Sequence, residues 1–60
     1  QLEPDQETIV SILQEYGECS IDKLSIESHL SATKVAAGLL NLEFEGIIKS
    51  LPGKMYKLCS

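Results

Sequence analysis

The sequence LSATKVAAGLLNLEFEGII, residues 30–48, reads as one helix with both of its ends marked. Ser31 offers a side-chain oxygen at the N-cap position, unbranched helix formers dominate the interior, and Gly46 stands where a left-handed C′ residue closes a helix. The spacing predicts a helix from about Ala32 to Glu45. Val35, Leu39 and Leu42 recur within it at i, i+4 and i+7, which places them on one buried face. The short turn His29-Leu30-Ser31 separates this helix from a helical segment before it. Helix, tight turn, helix is the outline of a helix-turn-helix, with the quoted stretch as its second member.

Upstream, Gln1 to Glu3 lead into Pro4, a residue suited to the first position of a helix because its missing N–H has no partner there in any case. Asp5 and Glu7 fall in the first turn, where the helix dipole favours acids. Ile9, Ile12, Leu13 and Tyr16 are expected to form the buried stripe of this helix, and Gly17 to end it. Glu18 and Cys19 fit a short extended link. Ser20 then caps a second helix that turns Ile21 and Leu24 inward and ends near Ser28. His29 falls where the chain must turn through a left-handed conformation, in which His is enriched among non-glycine residues.

Downstream, Ile47 to Leu51 and Met55 to Leu58 are β-compatible runs, and Pro52-Gly53 between them suits positions i+1 and i+2 of a type II turn. The pattern predicts a mainly α fold with a small β-hairpin: a winged helix-turn-helix of three helices plus a two- or three-stranded wing sheet, residues 18 to 20 supplying the third strand.

Sixty residues allow one domain at most. A domain of this size buries only about 60% of the surface its unfolded chain exposes, so its core must be simple. Residues 1 to 60 are therefore expected to form a single domain, and a start at Gln1 rather than methionine suggests that it is excised from the C-terminal end of a longer protein. With 43% hydrophobic and 23% charged residues the composition is that of a folded chain. The longest uncharged apolar run, Val35 to Leu40, is far too short to cross a bilayer, and no targeting segment is visible. Cys19 and Cys59 are too few and too far apart for a disulfide framework or a zinc site, and read as idle thiols of a reducing cytoplasm.

The run SIDKLSIESHLSATKVAAGLLNLEFEGIIKSLPGKMYKL resembles the C-terminal winged-helix domain of the DNA-processing protein DprA, also called Smf. The similarity spans Leu2 to Leu58. Its most telling parts are Leu39-Leu40-Asn41-Leu42-Glu43-Phe44-Glu45-Gly46, similar to the family's leucine-rich helix end and glycine, and Leu51-Pro52-Gly53 followed by Tyr56, similar to its hairpin. His29 departs from the family's frequent glycine, and lysines stand where its hairpin is often arginine-rich. The resemblance implies a cytoplasmic bacterial protein of natural transformation and recombination. The main domain of that protein binds incoming single-stranded DNA and helps load RecA, while the small domain is an accessory that contacts DNA or mediates protein association.

Nucleic-acid binding draws much of its affinity from cations that neutralise phosphates. Here nine acids face five lysines, for a net charge of −4, and there is no arginine. The distribution is uneven. Residues 1 to 46 carry all nine acids and two lysines, whereas residues 47 to 60 carry three lysines and no acid. Lys49, Lys54 and Lys57 make the hairpin locally basic, either as solvated guards of edge strands or as phosphate contacts. On the outward face of the long helix, Thr33, Ala37, Leu40 and Phe44 lie opposite the core stripe, with Lys34 and Asn41 beside them. Lys34 is placed to reach a phosphate and Asn41 an adenine edge. Thr33, Lys34, Asn41, Lys49, Lys54 and Lys57 are thus the candidate nucleic-acid contacts, for single- or double-stranded DNA bound weakly.

The same outward face is more apolar than ionic. Leu40 and Phe44 are expected first to pack against the hairpin or the first helix. Left uncovered, Ile26, Ala37, Leu40 and Phe44 would form an interface for a protein partner or for a homodimer, since contiguous exposed apolar area marks contact surfaces. Lys23 pairs with Glu27 at i, i+4. Nothing points to catalysis: His29 is the single histidine and sits at a turn, no phosphate-binding glycine loop or nucleophile elbow occurs, and neither cysteine has an activating base. No cofactor, metal or membrane is implied.

Overall fold

The computed structural model describes residues 2–59; Gln1, read above as part of the lead-in to the first helix, lies outside them. Pro4 opens α1 (Pro4–Tyr16), and the N–H of Glu3 before it donates to Gln6 Oε1 at 3.2 Å, which satisfies a backbone donor at the helix entrance. Gly17 closes α1 with φ +87°, and its N–H donates to the Leu13 carbonyl at 2.8 Å. Strand β1 (Glu18–Ser20) follows directly. Ser20 then caps α2 (Ile21–Ser28), its Oγ accepting from the Lys23 N–H at 3.1 Å.

The turn into the next helix is ordered by serines. His29 adopts the left-handed conformation expected of it (φ 63°, ψ 20°). Ser25 Oγ donates to the Leu30 carbonyl at 2.7 Å, and the Leu30 N–H donates to Ser28 Oγ at 3.2 Å. Helix α3 (Ala32–Phe44) starts at Ser31, whose Oγ accepts from the Lys34 N–H at 3.2 Å. It ends one residue before the predicted limit, with Glu45 as the cap. Gly46 (φ +77°) lets the Ile47 N–H reach back to the Leu42 carbonyl at 2.9 Å and the Gly46 N–H to that of Glu43 at 3.0 Å, a pair of bonds that satisfies the last turn.

Strands β2 (Ile48–Leu51) and β3 (Met55–Leu58) complete an antiparallel sheet of order β1-β3-β2. The hairpin loop holds three residues, Pro52 to Lys54, as the predicted strand ends Leu51 and Met55 leave it. Leu51 pairs with Met55, and Lys54 joins Gly53 at positive φ (60° and 84°). The core draws on every element except β3: Ile9, Ile12 and Leu13 from α1, Cys19 from β1, Leu24 from α2, Val35, Leu39 and Leu42 from α3, and Ile48 from β2 are all buried. Tyr56 and Leu58 of β3 pack against it half-buried. Each fully buried aliphatic side chain contributes roughly 1.5–3 kcal/mol.

Two packing expectations are corrected. Tyr16 does not belong to the buried stripe; it is 45% exposed. It sits in the last turn of α1, and its ring lies beside α2, with Lys23 Nζ 4.3 Å from the ring centre and its hydroxyl 3.3 Å from Glu27 Oε1. The polar phenol end reaches solvent-side partners that a buried site would deny it. Nor do Leu40 and Phe44 pack against the hairpin or α1. They are 68% and 92% exposed, because the hairpin meets α3 along its Glu43 flank, where Ser50 Oγ donates to Glu43 Oε2 at 3.1 Å.

Candidate nucleic-acid interface

Helix α3 presents three strips along its length. Val35, Gly38, Leu39 and Leu42 face the core. Thr33, Ala37, Leu40 and Phe44 lie opposite and are exposed. Lys34 and Asn41, also exposed, lie between these strips on the side of the α1 N-terminus, where they line a shallow groove with Ala37, Gln6, Glu3 and Asp5. The two carboxylates across that groove share space with Lys34, so a phosphate approaching this lysine also meets negative charge.

The hairpin lysines are not gathered around α3. The register places Lys49 directly opposite Lys57, and Glu18 opposite Lys57 on its other side. Since Ile48 and Cys19 of the neighbouring rows are buried, strand alternation turns the row Glu18-Lys57-Lys49 to the solvent side, together with Leu51 and Met55. Lys54 stands apart at the hairpin tip, in a groove shared with Ser20, Ile21 and Asp22 at the start of α2. The six candidate contacts therefore occupy three places: the α3 strip with its flank, the outer sheet face, and the tip. Of the partner-interface candidates, Ala37, Leu40 and Phe44 share the α3 ridge, and Ile26 is 71% exposed on α2.

The Lys49–Lys57 juxtaposition follows once the predicted strand ends, Leu51 and Met55, pair with one another. A two-residue loop would have set Lys49 against Tyr56; the third loop residue, Lys54, shifts the register by one. Gly38 was missed as a contact residue. The Ile9 side chain of α1 packs against it, and a glycine inside an apolar stripe is the signal that could have found it.

Burial pushes the Cys19 thiol above its ordinary range, with Lys23 partly opposing, so the reactive thiolate is disfavoured. The Tyr16 phenol is raised by Glu27 and then Glu15. The Lys23–Glu27 ion pair forms at 3.8 Å. Cys19 and Cys59 are both free thiols, one buried and one exposed. Among the described residues no helix is long and apolar enough to cross a membrane.

Residues 1–54 match the family model described as the DprA winged helix domain. Two solved structures share the fold. The Zalpha domain of Carassius auratus PKZ, crystallised in complex with Z-DNA, superposes with a TM-score of 0.87 at 19% identity over 92% of each chain. Ligand-free NadR gives a TM-score of 0.87 at 20% identity over 98% of this chain and 44% of the NadR chain. At these identities the likeness establishes the winged-helix fold and nothing finer. No curated protein matches the chain.

Proposed function

This chain belongs to the DprA winged helix domain family, and from that premise we propose that it is a non-catalytic accessory domain giving auxiliary, sequence-tolerant DNA contact to a DprA-like protein. The observation that carries the reading is the separation of charge: three of five lysines lie on the hairpin, past the last acid, Glu45. Lys49 and Lys57 lie on the outer sheet face, Lys54 at the tip, and Thr33, Lys34 and Asn41 are exposed on α3; in this reading the hairpin lysines meet phosphates and the α3 residues supply a second contact. That a Zalpha domain of the same fold was crystallised with Z-DNA supports DNA as the ligand class.

So few cations, with no bidentate arginine, give weak binding that falls with salt. The parent protein, acting in natural transformation and recombination in a bacterial cytoplasm and working with RecA, supplies the main affinity in this reading. The test is an amide-resolved NMR titration of this chain with short single- and double-stranded DNA at low salt. Shifts confined to Lys49–Lys57 and Thr33–Asn41, fading as salt rises, are expected. The combined Lys49→Ala, Lys54→Ala and Lys57→Ala variant should lower the salt slope by roughly one per contacting lysine. Absence of shifts with either DNA removes the reading.

One observation favours a second reading, protein association. Leu40 and Phe44, one helical turn apart, form an uncovered apolar ridge on α3, and such ridges mark contact surfaces. Phe44→Ser should then abolish self-association or partner capture while the fold persists.

A further inference from the structure

We infer that the α3 ridge of one copy of this chain docks on the outer sheet face of a second copy, head to tail. The inference rests on the association reading and names its partner. The ridge is apolar at Leu40 and Phe44 and bordered by acids: Glu43 on the hairpin side, Glu45 at the helix cap, and Glu3 and Asp5 across the groove from Asn41. A symmetric dimer through two α3 ridges would gather both sets of carboxylates in one interface with only Lys34 of each α3 to offset them, and like charges brought together in an interface cost several kcal/mol.

The outer sheet face is complementary in both respects. Leu51 and Met55 are directly paired and half-buried, so each leaves apolar surface open, and beside them Lys49 and Lys57 stand opposite one another, with Glu18 on the far side of Lys57. Like charges in directly opposed cross-strand positions are unfavourable in the isolated sheet. An acid-bordered apolar ridge laid over this face covers the Leu51–Met55 pair and brings a carboxylate to Lys49, the lysine of the pair that has no acid opposite it. Docking of one chain's ridge on another's sheet thus gives a role to two features the monomer leaves without one.

Such a contact is heterologous: each copy keeps one free ridge and one free sheet face, so growth does not stop at a dimer unless the ring closes. Sedimentation velocity over a range of concentrations at low salt is the test. Wild-type chain should exceed dimer mass as concentration rises, and salt should reverse this. Phe44→Ser, Glu43→Lys and Lys49→Glu, all at exposed positions, should each be monomeric alone. Mixing Glu43→Lys with Lys49→Glu should restore assembly, since the Lys49 face of the first accepts the Glu43 ridge of the second.

A wild-type chain monomeric at every concentration overturns the inference. A dimer lost in Phe44→Ser but indifferent to Lys49→Glu also overturns it, while leaving the association reading in place. Circular dichroism of each variant separates lost assembly from lost folding.

Discussion

A Cβ placed on Gly38 would stand 2.9 Å from Ile9 Cδ1, closer than carbon atoms tolerate, so α1 and α3 meet where one of them has no side chain. Ile9 is fully buried, so its end methyl must shift within the core to admit a side chain at residue 38. Gly38→Ala gains up to about 1 kcal/mol of helix propensity and loses a similar amount to overpacking, so a net change within about 1 kcal/mol is expected. Gly38→Val should cost roughly 2–3 kcal/mol. The double variant Ile9→Val/Gly38→Ala removes the clashing methyl and should be more stable than the sum of the singles predicts. Strict additivity in urea denaturation would refute this account of the contact.

Buried and exposed leucines on the same helix should behave oppositely. Leu39→Ala removes a core side chain and is expected to cost about 2–4 kcal/mol, a large share of the stability of a small domain. Leu40→Ala and Phe44→Ser, on the uncovered ridge, should stay within about 0.5 kcal/mol of the wild type. Equal losses at Leu39 and Leu40 in chemical denaturation would show that the ridge is packed.

Lys49→Glu replaces a like-charged cross-strand pair with an opposite-charged one facing Lys57. At low concentration, where the chain is monomeric, the change should stabilise by about 0.2–1 kcal/mol. Lys49→Ala should give part of this. Both gains should shrink in added salt. Thermal melts at two ionic strengths check the sign and the screening together.

One thiol should react quickly with a disulfide reagent under native conditions. Cys59 is exposed, whereas Cys19 is buried and its thiol is raised by burial. A thiol raised in the folded state holds its proton where the unfolded chain releases it. Its stabilising contribution is therefore present below the unfolded thiol value, about 8.5, and is lost as pH climbs through and beyond it. Tyr16, raised chiefly by Glu27, adds the same sign at higher pH. Urea midpoints should fall from about pH 7 to about pH 10, less steeply in Cys19→Ala. A midpoint that rises over this interval contradicts the assignment.

Helix ends and buried stripes were legible in the residues. Ser20 and Ser31 cap, Gly17 and Gly46 terminate, His29 turns left-handed, and Val35, Leu39 and Leu42 are buried, all as their types and spacing indicate. These features act through bonds and side chains within a turn or two of the chain, so local sequence suffices to specify them. The charge asymmetry between the helices and the hairpin was equally plain from the residue order.

The surroundings of those elements were not legible. That Tyr16 lies out against Lys23 and Glu27, and that the hairpin meets α3 along Glu43 and leaves Leu40 and Phe44 bare, depend on contacts between separate elements. A helix with apolar residues on two sides states that both can be buried, but which side is covered depends on where its neighbours pack. Residue type and spacing therefore established the winged-helix elements and their core faces. The uncovered ridge arose only when the packed elements excluded one another from the same space.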